Sequence, residues 1–359
     1  MRAAIRVVPG LALVLFSVAA PAVARETSGS TEAPAAAAGV REIALPAAPL
    51  DGVSLDYLAA DRARHRVWVP AGGTGAVVVI DTNTGTIHRI AGFPVAEVER
   101  NGRKRVVGPS SATVGDGFVY IGDRADASVC AVNAKTLKKG SCATLSSMPD
   151  GLAYVASTKE VWVTAPRERA ILVLDVSHPA APKPAGRIAL EGDPEGYAVD
   201  DAGGLFYTNY EDQDRTVRIS LSARAITATW NPECGEDGPR GLALPDGARY
   251  LLVACPDHVE SLAASSDGRI LSKLPTGAGV DDLDYLPARR AVYAAAASDA
   301  VLTVATLDES GMLHALASVP TSKGARNAAV TGDGTAYVAC GPEGKILVVP
   351  PSNDSASAR

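Results

Sequence analysis

Asp150, Glu195, Asp281 and Asp282 offer hard oxygen ligands, and they fall at two adjacent recurring places in a spaced series of short motifs. The motifs read "GVSLDYL", "GPSSATV", "MPDGLAY", "DPEGYAV", "GPRGLAL", "GVDDLDYL" and "GARNAAV". Aligned, they superpose Val53, Ser110, Asp150, Glu195, Arg240, Asp281 and Arg326. The next position holds Ser54, Ser111, Gly151, Gly196, Gly241, Asp282 and Asn327. Converging oxygens from Asp150, Glu195, Asp282 and Asn327 would suit Ca²⁺, which takes several such ligands. Arg240 and Arg326 work against that by neutralising the carboxylates, and they suit an anionic small ligand instead. A solvated, self-paired polar ring is the third arrangement open to these residues.

Other chemistry finds little footing. There is no G-x-S-x-G, so the usual strand-turn-helix site for a nucleophilic serine is missing. His65, His88, His178, His258 and His314 are scattered, and no C-x-x-C occurs, so transition-metal and haem-attachment patterns are absent. Asp212 and Asp214 in "NYEDQDR" have the spacing of a calcium loop but lack its glycine and glutamate, and read as a solvated hairpin tip. Asp81 in "VIDTNTG" reads as the organiser of its own turn.

The elements that must position the ring repeat with it. After each motif comes a β-rich run, a polar or glycine turn, a second β-rich run and further turn residues, as in "RVWVPAGGTGAVVVIDTNTG" and "EVWVTAPRERAILVLDVSHP". The aligned residues step by 57, 40, 45, 45, 41 and 45. A period of 40–45 with short strands in each unit is the signature of propeller blades. The expected fold is therefore all-β: a seven-bladed β-propeller of four-stranded antiparallel blades. The last unit is short of a strand, and "VREIALP" near residues 40–46 has the alternation to close the ring from the N-terminal side. The innermost strands would line a channel, with the aligned residues around one mouth. The long first step contains "AEVERNGRKRVV", whose Asn101-Gly102 centre predicts a hairpin arm over 96–107. Its Arg100, Arg103, Lys104 and Arg105 stand beside Glu97 and Glu99. They read either as a solvated hairpin of alternating charge or as a basic patch that reaches an acidic partner or covers the channel mouth.

The strands "VWVPAGGTGAVVVIDTNTG", "VWVTAPRERAILVLDVS" and "FYTNYEDQDRTVRIS" resemble the YVTN (YncE-like) family of β-propellers. The resemblance covers nearly all of the chain after its leader. It lapses in "LLVACPDHVESLAA" and "VYAAAASDAVLTVAT", which keep the rhythm and lose the motif. A shorter likeness joins "PDGLAY" and "PEGYAVD" to gluconolactonase-like (SMP-30) propellers. It implies a divalent metal held by Asp150 or Glu195 with Asn327, and lactone opening. Those enzymes have six blades, against seven here.

The chain begins with Arg2 and Arg6, an apolar run and Ala22-Val23-Ala24, the pattern of a signal peptide over residues 1–24. Small residues and proline over 25–38 read as a flexible leader, 39–350 as the propeller and 351–359 as a disordered tail. No later segment is apolar for long enough to span a membrane. Removing residues 1–24 takes away two arginines and no acid, moving the net charge from −6 to −8. That sign, with only 5% aromatic residues, disfavours nucleic acid. Export to the periplasm or exterior invites disulfides. Cys130 would pair with Cys142 and Cys234 with Cys255, leaving Cys340; the alternative is five buried thiols. The expectation is an exported, monomeric binding scaffold for a small molecule or protein, working through its channel mouth and its arm, with no assured cofactor. A metal-dependent hydrolase, with Ca²⁺ on Asp150, Glu195, Asp282 and Asn327, is the alternative.

Overall fold

A computed structural model describes residues 39–352, apart from Asn101, Asp246, Ala248, Ser265 and Ser266 and the side chains of Arg100 and Arg103. The expected signal segment 1–24, the leader 25–38 and tail residues 353–359 lie outside the described residues. Seven four-stranded antiparallel sheets form the blades. Blade 1 holds Ala59–Asp61, Arg66–Ala71, Ala76–Asp81 and Ile87–Ala91. In blades 1 to 6 the strands are consecutive and pair in chain order. First strands pack on the first strands of neighbouring blades, and the last packs on the first, so they are innermost. After Ala59–Asp61 they are Pro109–Val114, Leu152–Val155, Pro194–Asp200, Leu242–Ala243, Val280–Leu286 and Ala325–Val330. Blade 7 takes its outermost strand from Arg41–Ala44, in register from Arg41 opposite Val348 to Ala44 opposite Lys345. The ring is thus closed by the N-terminal strand.

The second strand of a blade is covered by a neighbour on each side, so its apolar residues run on without alternating. In "RVWVPA" Trp68 faces blade 2, beside Ile121 and Val132. Val67 and Val69 face blade 7, beside Tyr337 and Ile346. Trp162 likewise packs on Phe206 and Ile219 of blade 4, while Val161 and Val163 meet Tyr120 and Val129 of blade 2. Among the described residues seven apolar clusters form, one at each blade junction. There is no single core; the stabilising surface is divided among the junctions. Truncating a fully buried Trp68 or Trp162 to Ala would cost about 3–5 kcal/mol.

Turn chemistry sets where each strand ends. Asp81 Oδ1 accepts from the amides of Asn83 (3.1 Å) and Thr84 (2.9 Å) and from the Thr84 hydroxyl (2.9 Å). Asn133 does the same for Lys135 and Thr136 in blade 2. Cys130 and Cys142 are register partners on the outer two strands of blade 2 and are bonded. A second disulfide joins Cys234, in the loop after blade 4, to Cys255 at the end of a blade 5 strand. Cys340 is a buried free thiol whose pKa is raised to about 11, chiefly by burial. Among the described residues no helix is long and apolar enough to cross a membrane.

The arm is a separate two-stranded sheet, Ala96–Arg100 with Arg103–Val107, in register from Ala96 opposite Val107 to Arg100 opposite Arg103. Among the described residues it pairs with no blade. Lys104 reaches Glu97 at 2.7 Å in an exposed ion pair.

A candidate binding channel closed at one mouth by a charged ring

The strand register decides which residues face the channel mouth, and it corrects the motif alignment in blade 1. Asp284 opposes Tyr293 in blade 6, and Ala59 opposes the matching Trp68 in blade 1. Counting back two or three residues from these places sets Asp56 and Tyr57 level with Asp281 and Asp282. Val53 and Ser54 therefore leave the ring, three residues out of step. Val53 instead packs with Leu45 and Leu55 at the junction of blades 7 and 1, its N–H donating to the Gly341 carbonyl at 2.9 Å. The likeness of "SLDYL" to "DLDYL" misled because the two stretches pair with their blades in different registers. The corrected ring is Asp56, Ser110, Asp150, Glu195, Arg240, Asp281 and Arg326.

Arg124, from the blade 2 turn "GDRADAS", lies across this ring. Its guanidinium donates to Asp56 Oδ2 at 2.6 Å and to Asp150 Oδ1, and its Nε donates to the Pro149 carbonyl at 3.2 Å. Arg326 sits 3.1 Å from Asp281 Oδ2 and 3.7 Å from Asp56 Oδ1. Arg240 is drawn to Glu211 on the neighbouring turn, while its carbonyl accepts from Asn209 at 2.5 Å. Asn327, at φ +58°, donates through Nδ2 to the Asp56 carbonyl at 3.0 Å, and its Oδ1 is buried without a partner. Ser110 is buried with its hydroxyl likewise unpartnered. Burial pushes Asp150 up to about 6, opposed by Arg124. Glu195 is raised well above the ordinary carboxylate range by burial and by Asp150. Burial works against charge on Arg124, yet Asp56 and Asp150 hold it protonated. The ring is thus a cross-linked charged plug spanning blades 1, 2, 3, 6 and 7. Losing Arg124 would leave Asp150 without its cation and Asp56 with Arg326 alone, and removing one partner costs about 3–5 kcal/mol where such pairs are buried.

Tyr57 closes the floor of the plug. Its hydroxyl donates to Glu195 Oε1 at 2.8 Å and accepts from the Gly196 amide at 3.1 Å. Below it lies a chamber of about 170 Å³ walled by Tyr57, Tyr197, Leu242, Asp282, Asp284 and Arg62 among others. A wider cavity of about 330 Å³ continues toward the strand exits, past Tyr197 and Tyr154 to Thr113, Leu244, Tyr285 and Pro287. Arg62 holds Asp284 at 3.0 and 3.1 Å and donates to the Val330 carbonyl, tying blades 1, 6 and 7. Asp282 is different: among the described residues no cation pairs with it, and its bond comes from the Leu283 amide. Burial raises its pKa well above the ordinary range, and Asp281 and Asp284 add to that.

The structure brings Ser110, Asp150, Glu195, Asp281, Asp282, Arg326 and Asn327 to one end of the channel, with Arg240 turned aside to Glu211. Asp56, Tyr57, Arg124, Arg62 and Asp284 were missed. Asp284 was within reach, since it follows Asp282 at the two-residue period of a strand. Asp56 and Tyr57 needed the register, and Arg124 comes from a turn that no repeat marks. Among the described residues, one group of His, Cys, Asp and Glu brings ligand atoms within 4.8 Å: Cys255, His258 and Glu260. Cys255 is in a disulfide, and Lys273 already holds Glu260 at 2.7 Å, so that group suits an ion pair better than a metal. Asp212 and Asp214 serve as ties, to Arg169 at 2.9 Å and to the amides of Cys234 and Gly235.

No family model and no curated protein matches the chain. Among solved structures it is similar to a chain of the mitotic checkpoint complex, at 14% identity and TM-score 0.70, over 95% of this chain and 99% of that one. It is similar to hydrazine synthase of Kuenenia stuttgartiensis at 13% identity and TM-score 0.70, over 85% and 97%. Virginiamycin B lyase from Staphylococcus aureus follows at 14% identity and TM-score 0.66, over 86% and 98%. At these identities the likeness is one of fold.

Proposed function

We propose that this protein is an exported, monomeric propeller of the YVTN (YncE-like) kind, acting as a non-catalytic binding module. It would hold a small ligand in its axial channel and meet a protein partner with the arm at 96–107. One observation carries the reading: the mouth is plugged by Arg124, Arg326 and their acids, while linked cavities of about 170 and 330 Å³ lie beneath Tyr57. The two disulfides support export, since such bonds persist in oxidising compartments. The pairing of Asp56, Asp150 and Asp281 with arginines favours structure over catalysis at the ring.

The test is thermal unfolding of the purified protein against small compounds of positive, neutral and negative charge, and separately with Ca²⁺ followed by EDTA. A ligand at a hundred times its Kd adds about 2.7 kcal/mol to stability. The expected result is a raised midpoint with one class of organic compound and none with Ca²⁺. A Ca²⁺-dependent rise, removed by EDTA and by Asp150→Asn or Glu195→Gln, would overturn this reading in favour of the metal-dependent hydrolase. No rise with any compound would remove the channel from the proposal.

A further inference from the structure

The chamber beneath Tyr57 has a chemical character that the ring does not share. Three observations define it. Asp282 presents a carboxylate with no paired cation among the described residues, in a wall that also holds Asp284. Tyr57 and Tyr197 stand beside it with ring centroids 5.8 Å apart and planes tilted by 39°. Arg62, the cation on that wall, is held by Asp284 and the Val330 carbonyl. The room is about 170 Å³, or roughly six water volumes.

The fold makes this space deliberately. Gly241 is the blade 5 counterpart of Asp282, and a Cβ built on it would run into the Asp282 carboxylate and come 2.7 Å from its Cα. Gly151, the counterpart in blade 3, leaves room for the Tyr197 ring, which a Cβ would approach to 2.6 Å. Side chains at either position would fill the chamber or push its walls apart.

We infer that this chamber binds a small organic cation, an alkylammonium group, with Asp282 as counter-charge and Tyr57 and Tyr197 as aromatic walls, entered from the wider cavity at the strand exits. The inference rests on the channel-binding reading above and names its ligand class. Burial favours a proton on the Asp282 carboxyl, and an ammonium group would replace that proton with an ion pair that little water is left to screen. Aromatic faces add attraction for an ammonium group and favour it over a hydrated metal ion. Ca²⁺ fits poorly, since it needs six to eight oxygens and the chamber supplies one uncommitted carboxylate. An anion would meet Asp282 and Asp284 with no free guanidinium to offset them.

Titration calorimetry on the full chain would use choline as probe, its neutral isostere 3,3-dimethylbutan-1-ol, and isovalerate. The expected result is that choline binds and that the isostere binds at least ~10-fold more weakly, because only charge separates them. Asp282→Asn, checked for an unchanged fold by circular dichroism, should weaken choline at least ~10-fold as well. The isostere comparison uses the unaltered chain and stands even if that variant misfolds. Equal binding of choline and the isostere, or binding of choline unaffected by Asp282→Asn, would overturn the inference. Binding of isovalerate or the isostere alone would overturn it too, while leaving the channel as a ligand site. Binding of none of the three would overturn it and tell against the channel reading together.

Discussion

Glu195 is half-buried, with its carboxylate against the Tyr57 hydroxyl, and desolvation raises its pKa well above that of a free glutamate. The sign of the consequence follows from proton counting. Above the unfolded pKa, about 4.3, the unfolded chain has released this proton while the folded one retains it. Stability therefore falls as pH rises from the unfolded value to the folded one, and the cost stays in place above that. Asp150, raised to about 6, acts in the same direction over the lower part of that window. Glu195→Gln keeps an acceptor for Tyr57 and removes the titration. The variant should melt a few degrees above the wild type at pH 8, with the difference shrinking toward zero at pH 4, as one pKa unit is worth 1.36 kcal/mol. Melting curves across that range decide it; a wild type more stable than the variant at pH 8 would mean that Arg124 and Arg326 hold the carboxylate ionised.

The hairpin over 96–107 is the element least tied to the rest. Among the described residues its strands pair with each other alone, and its named ion pair, Lys104 with Glu97, is exposed. Exposed pairs of this kind contribute about 0–1 kcal/mol. Because Ala96 and Val107 are register partners, their ends are close enough to be joined by a tight turn. Replacing residues 97–106 by Asn-Gly should leave the melting midpoint within ~2 °C of the wild type, given how little of the arm is buried. A large fall would show that the arm braces the turn at Gly72–Thr74, beside Val106, and is structural. The arm was legible because Asn-Gly between alternating residues is a strong local signal. The turn carrying Arg124 was illegible because nothing local distinguishes it from other blade tips.

At the scale of the molecule, closure is the device on which the ring depends. The strand Arg41–Ala44 completes blade 7, Leu45 is buried beside Val53, and Lys345 bridges Glu42 at 2.7 Å. Starting the chain after Leu45 would expose the edge Lys345–Val349 and remove a buried leucine. The expected loss is about 3 kcal/mol or more, with a broader transition and concentration-dependent association by light scattering. A sharp, unshifted melt would show that blade 7 closes by packing alone. The repeat and its closing strand were visible in the sequence because a blade is a local object: its four strands follow one another, and valine, tryptophan and turn residues mark each in place. The seven mouth positions were visible for the same reason wherever the motif held register, as at Asp150, Glu195, Asp281 and Arg326. The tertiary structure alone decided what those residues do. Whether a carboxylate meets an arginine or stands free depends on residues brought across the ring, Arg124 from blade 2 to Asp56 and Asp150, Arg62 from blade 1 to Asp284. Side chains from different blades meet at an axis that no stretch of sequence encodes, and there, among the described residues, Asp282 is left without a cation.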